Sequence, residues 1–153
     1  MKRLLLPLGL LACVAIFQHG CKNVGAVVVT GLRTELTGIE RTGDGTTTVS
    51  WRIVNPNVAS YLLGHSNHKV FLNGTLVGTF AERDAMAVPA QNNAAKTSRL
   101  VVAGAAAEKL LTGAAGQGPV SYRVQSSLVV VIYGDSEEKG DLVSTGSVPV
   151  TTK

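Results

Sequence analysis

The sequence predicts an all-β domain, a β-sandwich of about seven strands with one short helix, behind an export signal. Three observations predict it. Beyond residue 26 apolar and polar residues alternate with a period of two, the spacing of a strand with one buried face. Seventeen glycines punctuate the chain at short intervals, as turns between many strands require. Hydrophobic residues reach 45% while aromatics supply only 5%, so the core is one of modest aliphatic side chains. Nothing in the 153 residues calls for a second folded domain.

The elements follow in order. Ala26–Thr30 and Leu32–Ile39 read as short strands, and Gly43-Asp44-Gly45 as a turn. Thr46–Val54 is the clearest strand, with Val49, Trp51 and Ile53 on one face and Thr48, Ser50 and Arg52 on the other. That alternation sends Trp51 into the core. Asn55-Pro56-Asn57 ends the strand, because Pro56 has no N–H for a ladder and holds Asn55 extended. The two Asn side chains are suited to satisfy backbone groups at the bend. His68–Leu72 and Thr75–Phe80 flank Asn73-Gly74, a dipeptide that supplies the two positive φ angles of a type I′ hairpin. Pro89–Ala95 reads as a polar loop and Thr97–Val102 as a strand. Ala105–Thr112 has helical composition, with Ala106, Ala107, Leu110 and Leu111 on one stripe and Gly113 as the stop. Gly113–Gly118 is a loop, Val120–Tyr133 a long strand, Asp135–Asp141 an acidic turn, and Leu142–Val150 the closing strand.

The first twenty residues have a different character. Lys2 and Arg3 precede an uncharged apolar run, Leu4–Phe17, which fits the h-region of a signal peptide and falls short of the ~20 residues of a spanning helix. Both cysteines, Cys13 and Cys21, lie in or just after this run. A disulfide framework or thiolate metal site in the folded domain is therefore excluded. The segment resembles bacterial lipoprotein signal peptides, which end at a cysteine that becomes lipid-modified. Leu10-Leu11-Ala12-Cys13 matches that pattern by residue type but leaves a short run and a greasy mature N-terminus. Gln18-His19-Gly20-Cys21 has the right length, and Cys21 is favoured as the lipid attachment site. The resulting division is a signal peptide over 1–20, a tether over 21–25 and the β domain over 26–153. The resemblance implies a membrane-anchored protein of the cell envelope, and Lys22 in place of an Asp favours the outer membrane, facing the periplasm.

Charge and motifs then exclude function classes. The chain carries 14 Lys and Arg against 10 Asp and Glu. Without Lys2 and Arg3 the bases fall to 12, a net of +2. No stretch of sequence clusters them or interleaves them with aromatics, so no nucleic-acid partner is expected. His65 and His68 form an H-x-x-H pair, but residues three apart on a strand face opposite ways. They read as solvated loop and strand-edge histidines, with no metal expected. No Gly-x-Ser-x-Gly elbow occurs. Gly113-Ala114-Ala115-Gly116-Gln117-Gly118 lacks the Lys of a phosphate loop and follows a helix instead of preceding one. The expectation is a protein that is not an enzyme, with no cofactor and no small-molecule substrate.

The ensemble resembles the late embryogenesis abundant type 2 family, also called the WHy domain. The residues that carry this are Thr48–Val54 running into Asn55, Pro56 and Asn57, then Lys69–Leu72 with Asn73 and Gly74, then Leu76-Val77-Gly78 and Val88-Pro89-Ala90. The helix at Ala105–Thr112, Tyr122–Val130 and Gly146–Val150 follow in the family's order. The resemblance spans roughly residues 26 to 150. It implies an immunoglobulin/fibronectin-III-like β-sandwich and a non-enzymatic protective role in desiccation or other stress. Client proteins or one envelope partner would be its macromolecular contacts. The alternative it leaves open is a structural or protein-interaction module of an envelope assembly.

Overall fold

A computed structural model describes residues 29–132 and 136–153 of the chain. The signal peptide, the tether and Cys21 lie outside the described residues, as do residues 26–28 of the first expected strand. Among the described residues nine strands and one helix follow one another: β1 (Arg33–Arg41), β2 (Thr47–Asn55), β3 (Tyr61–Leu72), β4 (Thr75–Glu82), β5 (Met86–Val88), β6 (Asn92–Arg99), β7 (Val101–Val102), α1 (Ala105–Ala114), β8 (Pro119–Ile132) and β9 (Ser136–Thr152). The all-β class is as expected.

Hydrogen bonding joins the strands into one sheet in the order β6-β2-β1-β9-β8-β3-β4-β7, with β5 beside β3. The two halves meet where β1 pairs in parallel with the end of β9, Ile39–Arg41 against Val150–Thr152. The sheet curls about this seam, so that β2 and β1 look across the core at β3, β4 and β8. Trp51 of β2 meets the rings of His68 and Phe80, with centroids 4.8 and 5.3 Å away. Val49, Trp51 and Ile53 are fully buried, as are Val70, Val77, Val88, Val124, Leu128 and Val148. At roughly 1.5–3 kcal/mol for each large apolar side chain removed from water, this cluster is what holds the curl closed.

β2 has the alternation its sequence predicts, with every second residue from Thr47 to Asn55 buried. Other segments differ, each for a physical reason. β3 begins at Tyr61, seven residues before the expected start, because an irregularity between Leu63 and His65 lets the polar stretch stay paired with β8. The expected loop at Pro89–Ala95 is shorter, since Asn92–Ala95 already pair with Asn55–Arg52 of β2. The expected strand Thr97–Val102 is two strands. Buried Leu100 donates its N–H to Thr47 O at 2.8 Å, and the chain then crosses to pair Val101 with Thr79 of β4. That crossing needs Gly78, where a Cβ would lie 2.5 Å from the Val101 carbonyl oxygen.

Of the expected acidic turn at Asp135–Asp141, residues 136–141 are strand, because β9 pairs with β8 from Ser136 onward, and Asp135 lies outside the described residues. The segment expected as a strand at Ala26–Thr30 ends in a turn at residues 29–31. The helix runs through Gly113 to Ala114, and Ala107, Leu111 and Ala114 are its buried residues. Ala106, expected on the buried stripe, is exposed. Arg41 of β1 ties the helix to the sheet through an ion pair with Glu108, 2.9 Å apart.

Candidate functional site

The polar residues at the end of β2 build a corner. Asn55 is buried, with its amide nitrogen donating to the carbonyls of Ala59 (2.8 Å) and Pro89 (2.9 Å) while its oxygen accepts from Asn57 N (3.0 Å). Asn57 donates from its own amide nitrogen to Thr30 O, 2.9 Å away, and to the Tyr61 hydroxyl. Its backbone oxygen accepts from Gln91 N. Two side chains and Pro56 thus clasp the entry to β1, the start of β3 and the turn before β6. The second motif forms the β3–β4 turn, where Asn73 and Gly74 have φ of 47° and 84° and Leu72 pairs with Thr75. These are the positive values of a type I′ turn. Asn73 also donates its N–H to Ser121 O of β8.

His68 corrects the sequence reading. It is 1% exposed, not a solvated strand-edge residue. The irregularity after Leu63 resets the alternation of β3, so that Ser66, His68, Val70 and Leu72 all face the core. The imidazole stacks on Phe80 with centroids 4.3 Å apart. Nδ1 and Nε2 each share a hydrogen bond of 2.8 Å, with the hydroxyls of Ser126 and Ser66. Ser126 Oγ is in turn 2.8 Å from Thr34 Oγ1, which carries the network across the core to β1. Burial lowers the His68 pKa to about 4, against a small opposing pull from Glu82, so the ring is neutral at pH 7. His65, by contrast, lies on the other side of β3 and is half-exposed. No group of three His, Cys, Asp or Glu side chains converges among the described residues.

The opposite face of the same strands carries a trough of about 880 Å³. Register explains its shape. Val143 of β9 pairs with Gln125, Gln125 with Lys69, Lys69 with Thr79, and Thr79 with Val101 of β7, a single row across five strands. The two ends of the row are valines, 61% and 64% exposed. Asp141, Ser127, Asn67 and Ala81 form the next row. Arg83 and Arg99, just beyond β4 and before Leu100, line the trough near the β7 edge, and Asp141 lines it on β9. The four ion pairs among the described residues join Arg41 to Glu108, Arg52 to Glu35, Lys96 to Glu82 and Lys153 to Glu40. Lys69, Arg83, Arg99 and Asp141 take part in none of them.

Sequence reasoning found no basic cluster because these three cations lie 14 and 16 positions apart in the chain. Lys69 lies on β3, Arg83 just beyond β4 and Arg99 at the end of β6, so nothing local in the sequence marks them as neighbours; the crossing from β6 to β7 brings them together. The corner and hairpin residues, Asn55, Pro56, Asn57, Asn73 and Gly74, do not reach this trough and serve the ends of strands instead.

No family model matches the chain, and no curated protein matches it. Among solved structures the chain is similar to a protein from Arabidopsis thaliana, at 15% identity and a TM-score of 0.50, over 79% of this chain and 80% of that one. It is also similar to a protein from Archaeoglobus fulgidus, at 17% identity and a TM-score of 0.45, over 80% and 95% of the two chains. A candidate late embryogenesis abundant (LEA) protein aligns at 11% identity with a TM-score of 0.44, over 81% and 75%. At 15% identity the first of these likenesses is one of fold alone.

Proposed function

We propose that the chain is a non-enzymatic envelope lipoprotein with an immunoglobulin- or fibronectin-like domain of the late embryogenesis abundant type 2 kind. In this reading it is anchored through Cys21 and protects other macromolecules during drying or related stress by surface contact. One observation carries the contact reading: the outer face of β3, β4, β7, β8 and β9 carries an open trough with exposed valines and unpaired cations. The buried polar groups that could be mistaken for a reactive centre are sealed in hydrogen bonds to one another. His68, Ser66, Ser126 and Thr34 form such a closed set at under 4% exposure, where no substrate reaches the imidazole. The corner at Asn55 and Asn57 and the turn at Asn73-Gly74 support the family resemblance through their order in the chain.

The test has two parts. The intact mass of the membrane-extracted protein is expected to start at residue 21 with a lipid adduct that Cys21→Ala removes. A client enzyme dried with the protein is expected to retain more activity than one dried with an equal mass of serum albumin. A mature chain without lipid overturns the anchor, and equal client loss overturns the protective role.

A further inference from the structure

The trough gathers three cations that take part in none of the ion pairs among the described residues. Elsewhere, Arg52 is held by Glu35 at 2.7 Å, Lys153 by Glu40 at 2.7 Å, and Arg123 lies 4.1 Å over the Phe71 ring. Lys69, Arg83 and Arg99 have no ion-pair partner among the described residues, and a single carboxylate, Asp141, shares the trough with them. Three cations against one acid leave a net positive concavity. Its walls concentrate the field and favour an anionic occupant. Guanidinium groups in particular match carboxylates with two parallel hydrogen bonds.

The geometry selects among anionic occupants. The row from Val143 to Val101 crosses five strands, four spacings of roughly 4.8 Å, or about 19 Å. An extended peptide rises roughly 3.3 Å per residue, so about six residues span it. A lone small anion would use one end only, whereas an extended chain reaches Lys69, Arg83 and Arg99, all exposed, together. We propose that the trough binds an extended acidic peptide segment of a partner protein, laid across the strands. Its carboxylates sit against Arg83 and Arg99 at the β7 edge, its apolar side chains cover Val101 and Val143, and a basic residue meets Asp141 at the β9 end. Lys69, at the centre of the row, contacts the acidic segment midway. This assignment rests on the reading of the trough as the contact surface and is independent of the lipid anchor.

The experiment uses the full chain in an uncharged detergent and two fluorescein-labelled peptides, Glu-Glu-Val-Thr-Val-Lys and its charge-reversed counterpart Lys-Lys-Val-Thr-Val-Glu, titrated by anisotropy. Saturable binding of the acidic-headed peptide is expected to be at least tenfold tighter than that of its counterpart and to weaken as salt is raised. Arg83→Glu with Arg99→Glu is expected to remove that preference. Arg83→Gln with Arg99→Gln is expected to reduce it, with thermal melting confirming that each variant is folded. Equal binding of both peptides, or binding untouched by the folded variants, overturns the assignment. So does binding of phosphatidylglycerol vesicles that displaces the peptide. The same variants in the client-drying assay separate the two readings. If they abolish protection while both peptides bind alike, the contact surface stands and the acidic segment falls. If they change neither protection nor binding, both fall.

Discussion

The two faces of β3 treat polar residues in opposite ways. On the inner face Ser66 and His68 are buried, and each nitrogen and hydroxyl finds a partner in a network that ends on Thr34 across the core. On the outer face Lys69, one residue away, stands in the open trough with no ion pair among the described residues. The physics differs because the solvent differs. A buried polar group without a partner costs about 1–3 kcal/mol, so the inner face tolerates polarity only as a closed set. The outer face is hydrated, and a lone charge there costs little. Inner substitutions therefore belong to stability and outer ones to binding.

The largest test of that division is Trp51→Ala. The side chain is fully buried between His68 and Phe80 and donates Nε1–H to Ser98 at 3.0 Å. Its removal is expected to destabilise the domain by about 3–5 kcal/mol, read as a lower urea midpoint. An effect below ~1 kcal/mol would mean that the curl does not close on this ring.

The next is pH-dependent. His68 has its pKa lowered from 6.5 to about 4 by burial, so the unfolded chain binds the proton more readily than the folded one. The contribution is fully present above pH 6.5 and is lost as pH falls toward 4. It amounts to about 3 kcal/mol over that window. Urea melts of the wild type at pH 7 and pH 4.5 are expected to differ more than those of His68→Asn. Parallel slopes would place the ring in contact with water.

A smaller loss, about 2 kcal/mol, is expected for Asn55→Ala, which strips partners from the carbonyls of Ala59 and Pro89 and the N–H of Asn57. Hydrogen exchange is expected to rise first at the turns around 57 and 90, since the clasp spans both. The smallest effect belongs to the outer face. Lys69→Ser and Arg83→Ser are expected to shift stability by no more than ~0.5 kcal/mol while leaving the melting cooperative. A larger loss would show that these cations hold the fold and would erase the contrast between the faces.

How much of this was legible varies with the strand. β2 could be read residue by residue because its alternation is uninterrupted, with Trp51 at its centre and Asn55 at its end. β3 could not, because Gly64, His65, Ser66 and Asn67 look like a turn, and the irregularity that keeps them in the sheet has no sequence mark of its own. β6 was hidden in the same way. Asn92 and Asn93 have loop composition, yet an edge strand needs few apolar side chains when only one side of it pairs. The trough was invisible because sequence clustering and spatial clustering are different properties in a sheet.

The sequence by itself determined the all-β class, the inward turn of Trp51, the corner at Asn55-Pro56-Asn57 and the hairpin at Asn73-Gly74. Each depends on local quantities: a two-residue period, the missing N–H of proline, and the φ angles that Asn and Gly accept. Tertiary structure alone decided that β1 and β9 would pair in parallel to make one curled sheet, that His68 would be buried, and that Lys69, Arg83 and Arg99 would share one trough. Those outcomes depend on register between segments far apart in the chain. A shift of one residue in any pairing would exchange the two faces.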